Sequence, residues 1–278
     1  MTKKFPLIIT AFILSGGLLF AQNDLDQTAI DSENLLKNWS VGINYGITHF
    51  DGDIRQYDYT AAEQNGLNYQ DSEFKELRSA FSFSLEKKIS EKISVSVEHI
   101  FGEFAGLRRP NEYVGYTVYD PYGITGENTE NFGDKFVAAF NETDMLLNYE
   151  INSSISKLIK KEMPENISII VKMGLGYNVF RSLRTNLYTD DYVYSYGYDD
   201  LTKNESEDAV SESVIIYGVK IKYEIQKGIS LLADYTVRNS MSDKWDSSIM
   251  DGGHGGDRFS FLSFGLAYEI QTNDKVKD

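Results

Sequence analysis

Apolar and polar residues alternate strictly along several stretches of this sequence. Between Trp39 and Phe50, large apolar side chains occupy the odd positions up to Ile47, and small or polar side chains occupy the even positions. Successive side chains of a strand point to opposite faces, so the pattern predicts a strand with one apolar face. In a soluble protein that face would cover a core. In a membrane barrel it faces lipid, and the small and polar side chains line the lumen.

Eight such segments follow one another, joined in turn by long and short connections. They predict an all-β fold, an eight-stranded antiparallel up-and-down transmembrane β-barrel over residues 39–270 with long extracellular loops. A propeller or a sandwich is the alternative, but strands of those folds rarely keep this alternation for ten residues. The predicted strands are 39–50, 77–89, 93–101, 145–151, 167–179, 215–225, 229–237 and 262–270. The predicted long loops are 51–76, 106–134, 181–212 and 239–257, and a helical turn is expected at 155–161.

The N-terminus predicts export from the cytoplasm. Lys3 and Lys4 precede an apolar run at 5–20, and Ala21 offers a small residue for cleavage. We therefore expect a signal peptide at 1–21. Residues 22–38 would then be a periplasmic segment and 271–278 a polar periplasmic tail. Because outer-membrane barrels have short periplasmic turns, both termini are expected in the periplasm and the barrel in the outer membrane of a Gram-negative envelope.

Charge and cysteine content exclude several classes of protein. The formal net charge is -15 and the pI is about 4.7, which argues against nucleic acid as a partner. The sequence has no cysteine, which excludes a lipid-anchored lipoprotein and any disulfide framework. The expected partners are outer-membrane lipid and lipopolysaccharide, and other envelope proteins. The assembly machinery is expected during insertion, because Ser263, Gly265, Tyr268 and Ile270 match its C-terminal signal.

Several stretches resemble outer-membrane barrels of Bacteroidota. That group includes the barrel halves of OmpA-like proteins and the PorG-type component of the type IX secretion system. The resemblance implies a non-enzymatic barrel that serves as a structural protein or as a subunit of an envelope complex. OmpA-like members continue into a peptidoglycan-binding domain, whereas this chain stops, so we expect no role in anchoring the cell wall. The similar stretches are 42–54, 142–149, Gly174 with Gly176, 218–225, 238–246 and 257–270.

The histidines are the candidates for catalysis. His49 stands at the outer end of the first strand beside Asp51 and Asp53, so a dyad at the rim is conceivable. A polar residue at the membrane interface is the favoured interpretation. His99 occupies one of the alternating positions that face lipid. A bulge that turns its side chain inward is expected rather than a catalytic role. His254 lies in a glycine-rich loop where we expect no organised site, so no catalytic residue is predicted.

The third long loop alternates tyrosines between two acidic pairs from Tyr188 to Asp200. This segment could form an adhesive hairpin or a Ca²⁺ site, because clustered carboxylates suit hard cations. The favoured interpretation is an extension of the flanking strands above the bilayer. EF-hand spacing is absent, so neither a metal site nor a cofactor is predicted.

Charged residues with inward parity form the candidate site. Glu98, Lys172, Lys220 and Asp234 each lie about five residues from the periplasmic end of their strand, which places them near the membrane midplane. We expect them to meet as a paired network, because an unpaired buried charge is costly. Glu86, Glu150, Lys222, Glu224 and Glu269 are expected lower. Arg78, Asp144 and Arg238 are expected nearer the mouth.

Three functions remain open at this point. The first is a non-enzymatic barrel whose loops or turns bind partners, as the resemblance implies. The second is a small pore. The third is a hydrolase acting on lipid A or on peptides.

Overall fold

The alternating segments form strands that pair antiparallel all the way round a closed sheet. The computed structural model describes residues 37–52, 54, 74–108, 133–187, 189–198, 209–247 and 256–270. The expected signal peptide, nearly all of the segment 22–38, the tail 271–278, Asp53 and His254 lie outside this part of the chain. The elements are β1 Trp39–Asp51, β2 Arg78–Lys88, β3 Ile93–Arg108, β4 Asp134–Glu150, α1 Asn152–Ile159, β5 Ile167–Asn186, β6 Tyr192–Tyr196, β7 Val210–Gln226, β8 Ile229–Ser240 and β9 Arg258–Glu269.

The predicted eight-stranded barrel is confirmed. Of the nine strands in the sheet, β6 pairs with the end of β5, and the other eight close the barrel. β1 pairs with β9 from Ser40 opposite Glu269 to Asp51 opposite Arg258. β4 pairs with β5 on the far side. Closure gives every barrel strand two neighbours, so the backbone groups of the sheet are satisfied by pairing.

The connections give the barrel two different ends. At the turn end, β2 runs into β3 and β7 into β8 through short turns, and β4 runs into β5 through the longer connection that holds α1. β1 also begins there and β9 ends there. At the loop end, the remaining connections are longer, as the sequence predicts.

Most strands extend further at the loop end than predicted, and β3, β4 and β5 extend the most. The pairing of β3 with β4 continues to Arg108 opposite Asp134, and that of β4 with β5 continues to Asn186. β6 then folds back on β5. The predicted extension of the flanking strands is therefore present for β5, whereas the tyrosines at 192–196 form the separate strand β6.

The predicted outward faces are exposed. The side chain of Ile43 is 54% exposed, that of Met145 is 65% and that of Phe264 is 64%. The intervening side chains, such as Asn44 and Ser263, are buried inside the barrel. In the described part of the chain, no helix is long and apolar enough to cross a membrane. The one helix among the described residues, α1, occupies the connection between β4 and β5 and begins three residues earlier than the predicted helical turn.

Candidate functional site: the barrel interior

Lys172 is the centre of a buried ion network in the middle of the barrel. Its Nζ atom lies 2.6 Å from Asp234 Oδ2 and 3.2 Å from Glu98 Oε2. The three residues come from β5, β8 and β3, and each is less than 5% exposed. The contact between Lys172 and Glu98 therefore crosses the lumen, because β3 and β5 are separated by β4 in the sheet.

Lys220, the fourth residue of the predicted cluster, has a different ionic partner. It lies directly opposite Asp234 in the pairing of β7 with β8. Its Nζ atom is 3.0 Å from Glu86 Oε2, however, and Ser94 donates a 2.5 Å hydrogen bond to the other oxygen of Glu86. The structure thus joins Lys172, Glu98 and Asp234 directly, while Lys220 turns towards the turn end.

A second network surrounds Arg238, which is fully buried. Its Nε atom lies 2.6 Å from Glu142 Oε1, and its Nη2 atom lies 3.3 Å from Asp144 Oδ2. Asn178 donates a 2.7 Å hydrogen bond to the other Glu142 oxygen. Asp144 is the register partner of Glu98, so the two networks lie side by side.

Asp144 and Arg238 lie nearer the mouth than the Lys172 network, as expected. Asp144 is opposite Gly176, which lies beyond Lys172 towards the loop end of β5. Arg238 lies beyond Asp234 towards the loop end of β8. Glu142 was missed by the sequence analysis. Its inward parity, two positions before Asp144, is the signal that could have identified it.

Glycine gives this network its space. A Cβ atom at Gly176 would lie 2.3 Å from Asp144 Oδ1 and 3.0 Å from Ile216 Cδ1. Gly176 is the register partner of Asp144 on β5. Any side chain there would displace the carboxylate that accepts from Arg238.

An aromatic core fills the loop-end half of the lumen, and the sequence analysis missed it. Phe104 stacks on Phe259 with ring centroids 5.0 Å apart, and it lies 5.4 Å from the ring of Trp245. Arg238 lies above the ring of Phe259 at 5.6 Å, so the guanidinium group joins the ionic layer to the aromatic one. The buried cluster comprises Phe50, Ile54, Ala80, Ile100, Phe104, Phe136, Ala138, Phe140, Leu146, Phe180, Val214, Ile216, Trp245, Phe259 and Phe261.

Two residues of this core come from loops. Trp245 follows β8 and Ile54 follows β1, and both are fully buried. The backbone N–H of Ile54 donates to Asp246 Oδ2 at 2.8 Å, and that of Trp245 donates to Asp257 Oδ2 at 2.7 Å. The two loops are thereby tied to each other and to the start of β9 across the mouth.

The turn end opens instead into a polar cavity of about 320 Å³. The charged residues expected below the midplane all line it. Lys222 and Glu269 approach within 4.0 Å of each other there. The residues that were expected below the midplane and that line this cavity are Glu86, Glu150, Lys222, Glu224 and Glu269. This cavity stops below the ion networks, since Glu86 pairs with Lys220 at its upper boundary.

The described histidines lie on the outside of the barrel. His49 is exposed, and its neighbour Asp51 forms an ion pair with Arg258. His99 is also exposed, and its Nδ1 atom lies 3.0 Å from Thr143 Oγ1. The expected bulge at His99 is wrong, because β3 keeps continuous register with both neighbours at this position.

Beyond the barrel proper, one carboxylate joins two arginines. Asp134 Oδ2 lies 2.7 Å from Arg108 Nη2 and 2.5 Å from Arg184 Nη2. Burial alone would raise the pKa of Asp134, but the guanidinium groups of Arg184 and Arg108 outweigh it and hold the pKa below its ordinary value. This cluster ties the extended ends of β3, β4 and β5 together.

The tyrosine-rich hairpin is packed by its own rings. Tyr194 and Tyr196 meet edge to face with centroids 5.2 Å apart, and Tyr196 packs against Phe180. Burial, followed by the neighbouring Tyr194, raises the pKa of the Tyr196 hydroxyl above its ordinary range. Across the described residues, no group of histidines and carboxylates has a geometry that could hold a metal ion.

No protein-family model and no curated protein matches this chain. Among solved structures, Neisserial surface protein A is similar over 84% of this chain and 98% of its own, with 9% identity and a TM-score of 0.43. Ail, the attachment invasion locus protein of Yersinia pestis, aligns over 84% of this chain and 98% of its own, with 10% identity and a TM-score of 0.37. A major outer membrane protein of Thermus thermophilus covers 83% of this chain and 98% of its own, with 14% identity and a TM-score of 0.40.

Proposed function

We propose that this chain is a non-enzymatic integral protein of the outer membrane, with a sealed barrel that serves as a subunit of an envelope complex. In the finer form of the proposal, that complex is related to type IX secretion and the chain acts as its PorG-like component. The observation that carries the proposal is the inverted polarity of the barrel. Its outward face is apolar and exposed, whereas its interior holds buried ion pairs.

The height of the apolar exterior supports residence in a bilayer. Trp39 marks its lower edge, with Lys87 Nζ 4.9 Å from its ring, and His49 marks its upper edge. About ten residues separate Trp39 from His49. In a strand tilted by about 40° they rise by roughly 25 Å, which matches the height of the apolar band of outer-membrane barrels. Tyr149, Tyr223 and Tyr268 lie at the level of Trp39 and are between 43% and 49% exposed, as an aromatic girdle requires.

The filled interior favours a scaffold over a pore. The lumen is crossed by the Lys172 network and, above it, by the aromatic core with Trp245 and Ile54. An eight-stranded barrel has an interior just wide enough for side chains. Water and ions would have to displace paired charges and packed rings to pass.

The two ends offer different surfaces to partners. At the loop end, β3, β4 and β5 extend beyond the barrel and β6 pairs with β5. This extension carries the ring pair of Tyr194 and Tyr196. At the turn end, the cavity wall is rich in carboxylates, including Glu150 and Glu224. The resemblance of the sequence to PorG-type barrels supports a partner in the envelope, which one of these surfaces would bind.

Fractionation tests the membrane assignment. The protein should remain in the outer-membrane pellet after carbonate washing, and it should migrate faster on a detergent gel when it is not boiled. Arg in place of Leu147, on the outward face, should cost ~2–4 kcal/mol of stability and impair assembly. Arg in place of Glu91, in the exposed turn between β2 and β3, is the matched control. Release by carbonate, or equal tolerance of both arginines, would contradict the assignment.

Co-purification tests the role as a subunit. The protein should carry a defined set of envelope proteins through gentle solubilisation, compared with an unrelated eight-stranded barrel bearing the same tag. Recovery of the same proteins with both barrels would overturn the subunit role. A steady open channel in planar bilayers would favour the pore over the role as a subunit.

A further inference from the structure

The helix α1 presents an apolar face that the barrel does not cover. Leu158 is 83% exposed and Ile159 is 52% exposed, although both are large aliphatic residues. Ile155 lies three and four residues before them, so the three side chains share one side of the helix. No residue of α1 is buried.

Two polar side chains fix the first turn of α1 to the barrel. Asn152 donates a 2.5 Å hydrogen bond to the carbonyl of Ile167 and accepts a 2.8 Å bond from the N–H of Ile169. Lys92, in the turn between β2 and β3, donates a 3.0 Å bond to Ser153 Oγ. The helix is thus held at its first turn. Ser153 lies on the side opposite Ile155 and Leu158. Asn152, seven residues before Ile159, lies on the same side as that residue.

Charge distinguishes this segment from the rest of the chain. The protein carries 42 acidic and 27 basic side chains, yet Lys157, Lys160 and Lys161 lie together here with Glu162 as the nearest acid. All three lysines are exposed. An aliphatic stripe beside a row of lysines is the pattern of helices that lie in the headgroup layer of a membrane.

The position of α1 is continuous with the outward apolar belt. The helix starts three residues after Tyr149, which belongs to the turn-end girdle. Its eight residues span only about 12 Å, so the whole helix stays close to the turn end of β4.

We propose that α1 docks on the inner leaflet of the outer membrane and binds anionic phospholipid headgroups through Lys157, Lys160 and Lys161. Leu158 and Ile159 enter the boundary of the acyl chains beneath those headgroups. This inference rests on the proposed membrane residence of the barrel, with its turn end on the periplasmic side. The docked helix would hold the barrel at a fixed height and rotation at its turn end.

Fluorescent labels at single cysteines test the docking, because the chain has no cysteine of its own. L158C is labelled and the protein is placed in vesicles of phosphatidylethanolamine and phosphatidylglycerol. L147C, on the barrel exterior, is the reference for lipid exposure, and E91C, in the neighbouring turn, is the reference for water exposure. Doxyl-labelled lipid reports contact with the bilayer, and iodide on both sides of the membrane reports contact with water.

The label at Leu158 should be quenched by doxyl lipid like that at Leu147 and protected from iodide by roughly twofold or more relative to Glu91. In vesicles of phosphatidylcholine alone, or after K157Q, K160Q and K161Q are combined, the protection should fall towards the value at Glu91.

Three results would overturn the inference in distinguishable ways. A Leu158 label quenched by iodide like Glu91, with Leu147 still in lipid, removes the docking and leaves the membrane barrel intact. A Leu158 label equally protected in both lipids removes the role of anionic headgroups. A Leu147 label that never contacts lipid removes the membrane residence itself.

Discussion

The middle and the loop end of the lumen are filled in opposite ways. In the middle, Lys172 and Arg238 each hold two carboxylates, and these groups are buried. At the loop end, rings such as Phe104 and Phe259 pack against Trp245. The ionic layer depends on charge balance, since removing one partner leaves another uncompensated. The aromatic layer depends on volume, since removing a ring leaves a cavity.

The ionic layer should show the largest effect of a single substitution. Lys172→Met leaves Glu98 and Asp234 buried without their shared cation, and we expect a loss of about 3–5 kcal/mol in the free energy of unfolding. Urea unfolding of the reconstituted protein measures the loss. The matched control is K172M combined with E98Q and D234N, which removes all three charges and should recover most of the stability. If the control is as unstable as the single variant, volume rather than charge balance governs this layer.

The aromatic layer should respond through sealing as well as through stability. Trp245→Ala removes the ring that its loop inserts among Phe104 and Phe259, and we expect a loss of about 3 kcal/mol. The loop can also leave the mouth, so brief conductance events should appear in planar bilayers. Phe264→Ala, on the exposed exterior, removes a comparable ring without touching the lumen and should leave the membrane closed. Equal conductance in the two variants would mean that Trp245 does not close the mouth.

Much of this architecture could be predicted, because alternation along a strand fixes which side each residue faces. The eight barrel strands, the exposed belt and the inward position of Lys172, Glu98 and Asp234 all follow from parity. Depth is harder to predict, because it depends on the stagger between strands. Lys220 was expected at the midplane and Glu86 below it, yet the two side chains form an ion pair.

The aromatic core escaped prediction for a different reason. Phe104 and Phe136 lie on parts of β3 and β4 outside the predicted strands 93–101 and 145–151, so their position in the alternation was not used. Trp245 and Ile54 lie outside strands and have no periodic signal. Their burial results from loop contacts such as that of Ile54 with Asp246, which only the folded chain brings together.

The smallest expected effect on stability comes from a carboxylate outside the lumen, in the extension of the strands beyond the barrel. Asp134 pairs with Arg108 and Arg184, and its folded pKa lies below its ordinary value of 3.8. Because the folded pKa is the lower one, the pairing stabilises the protein fully above about pH 4–5, and this contribution is lost as the pH falls through the folded pKa. We expect about 1–2 kcal/mol, since the partners are charged and partly solvated.

Unfolding measured from pH 7 down to pH 3 tests this contribution by comparing the protein with Asp134→Asn. The two should differ at neutral pH and converge at the acid end. Asp190→Asn removes the same charge from a side chain that is 72% exposed and pairs with Lys135, so it controls for net charge alone. A constant difference between Asp134→Asn and the parent at every pH would mean that the variant acts through shape, and that this carboxylate, unlike those around Lys172, is not held by its charge.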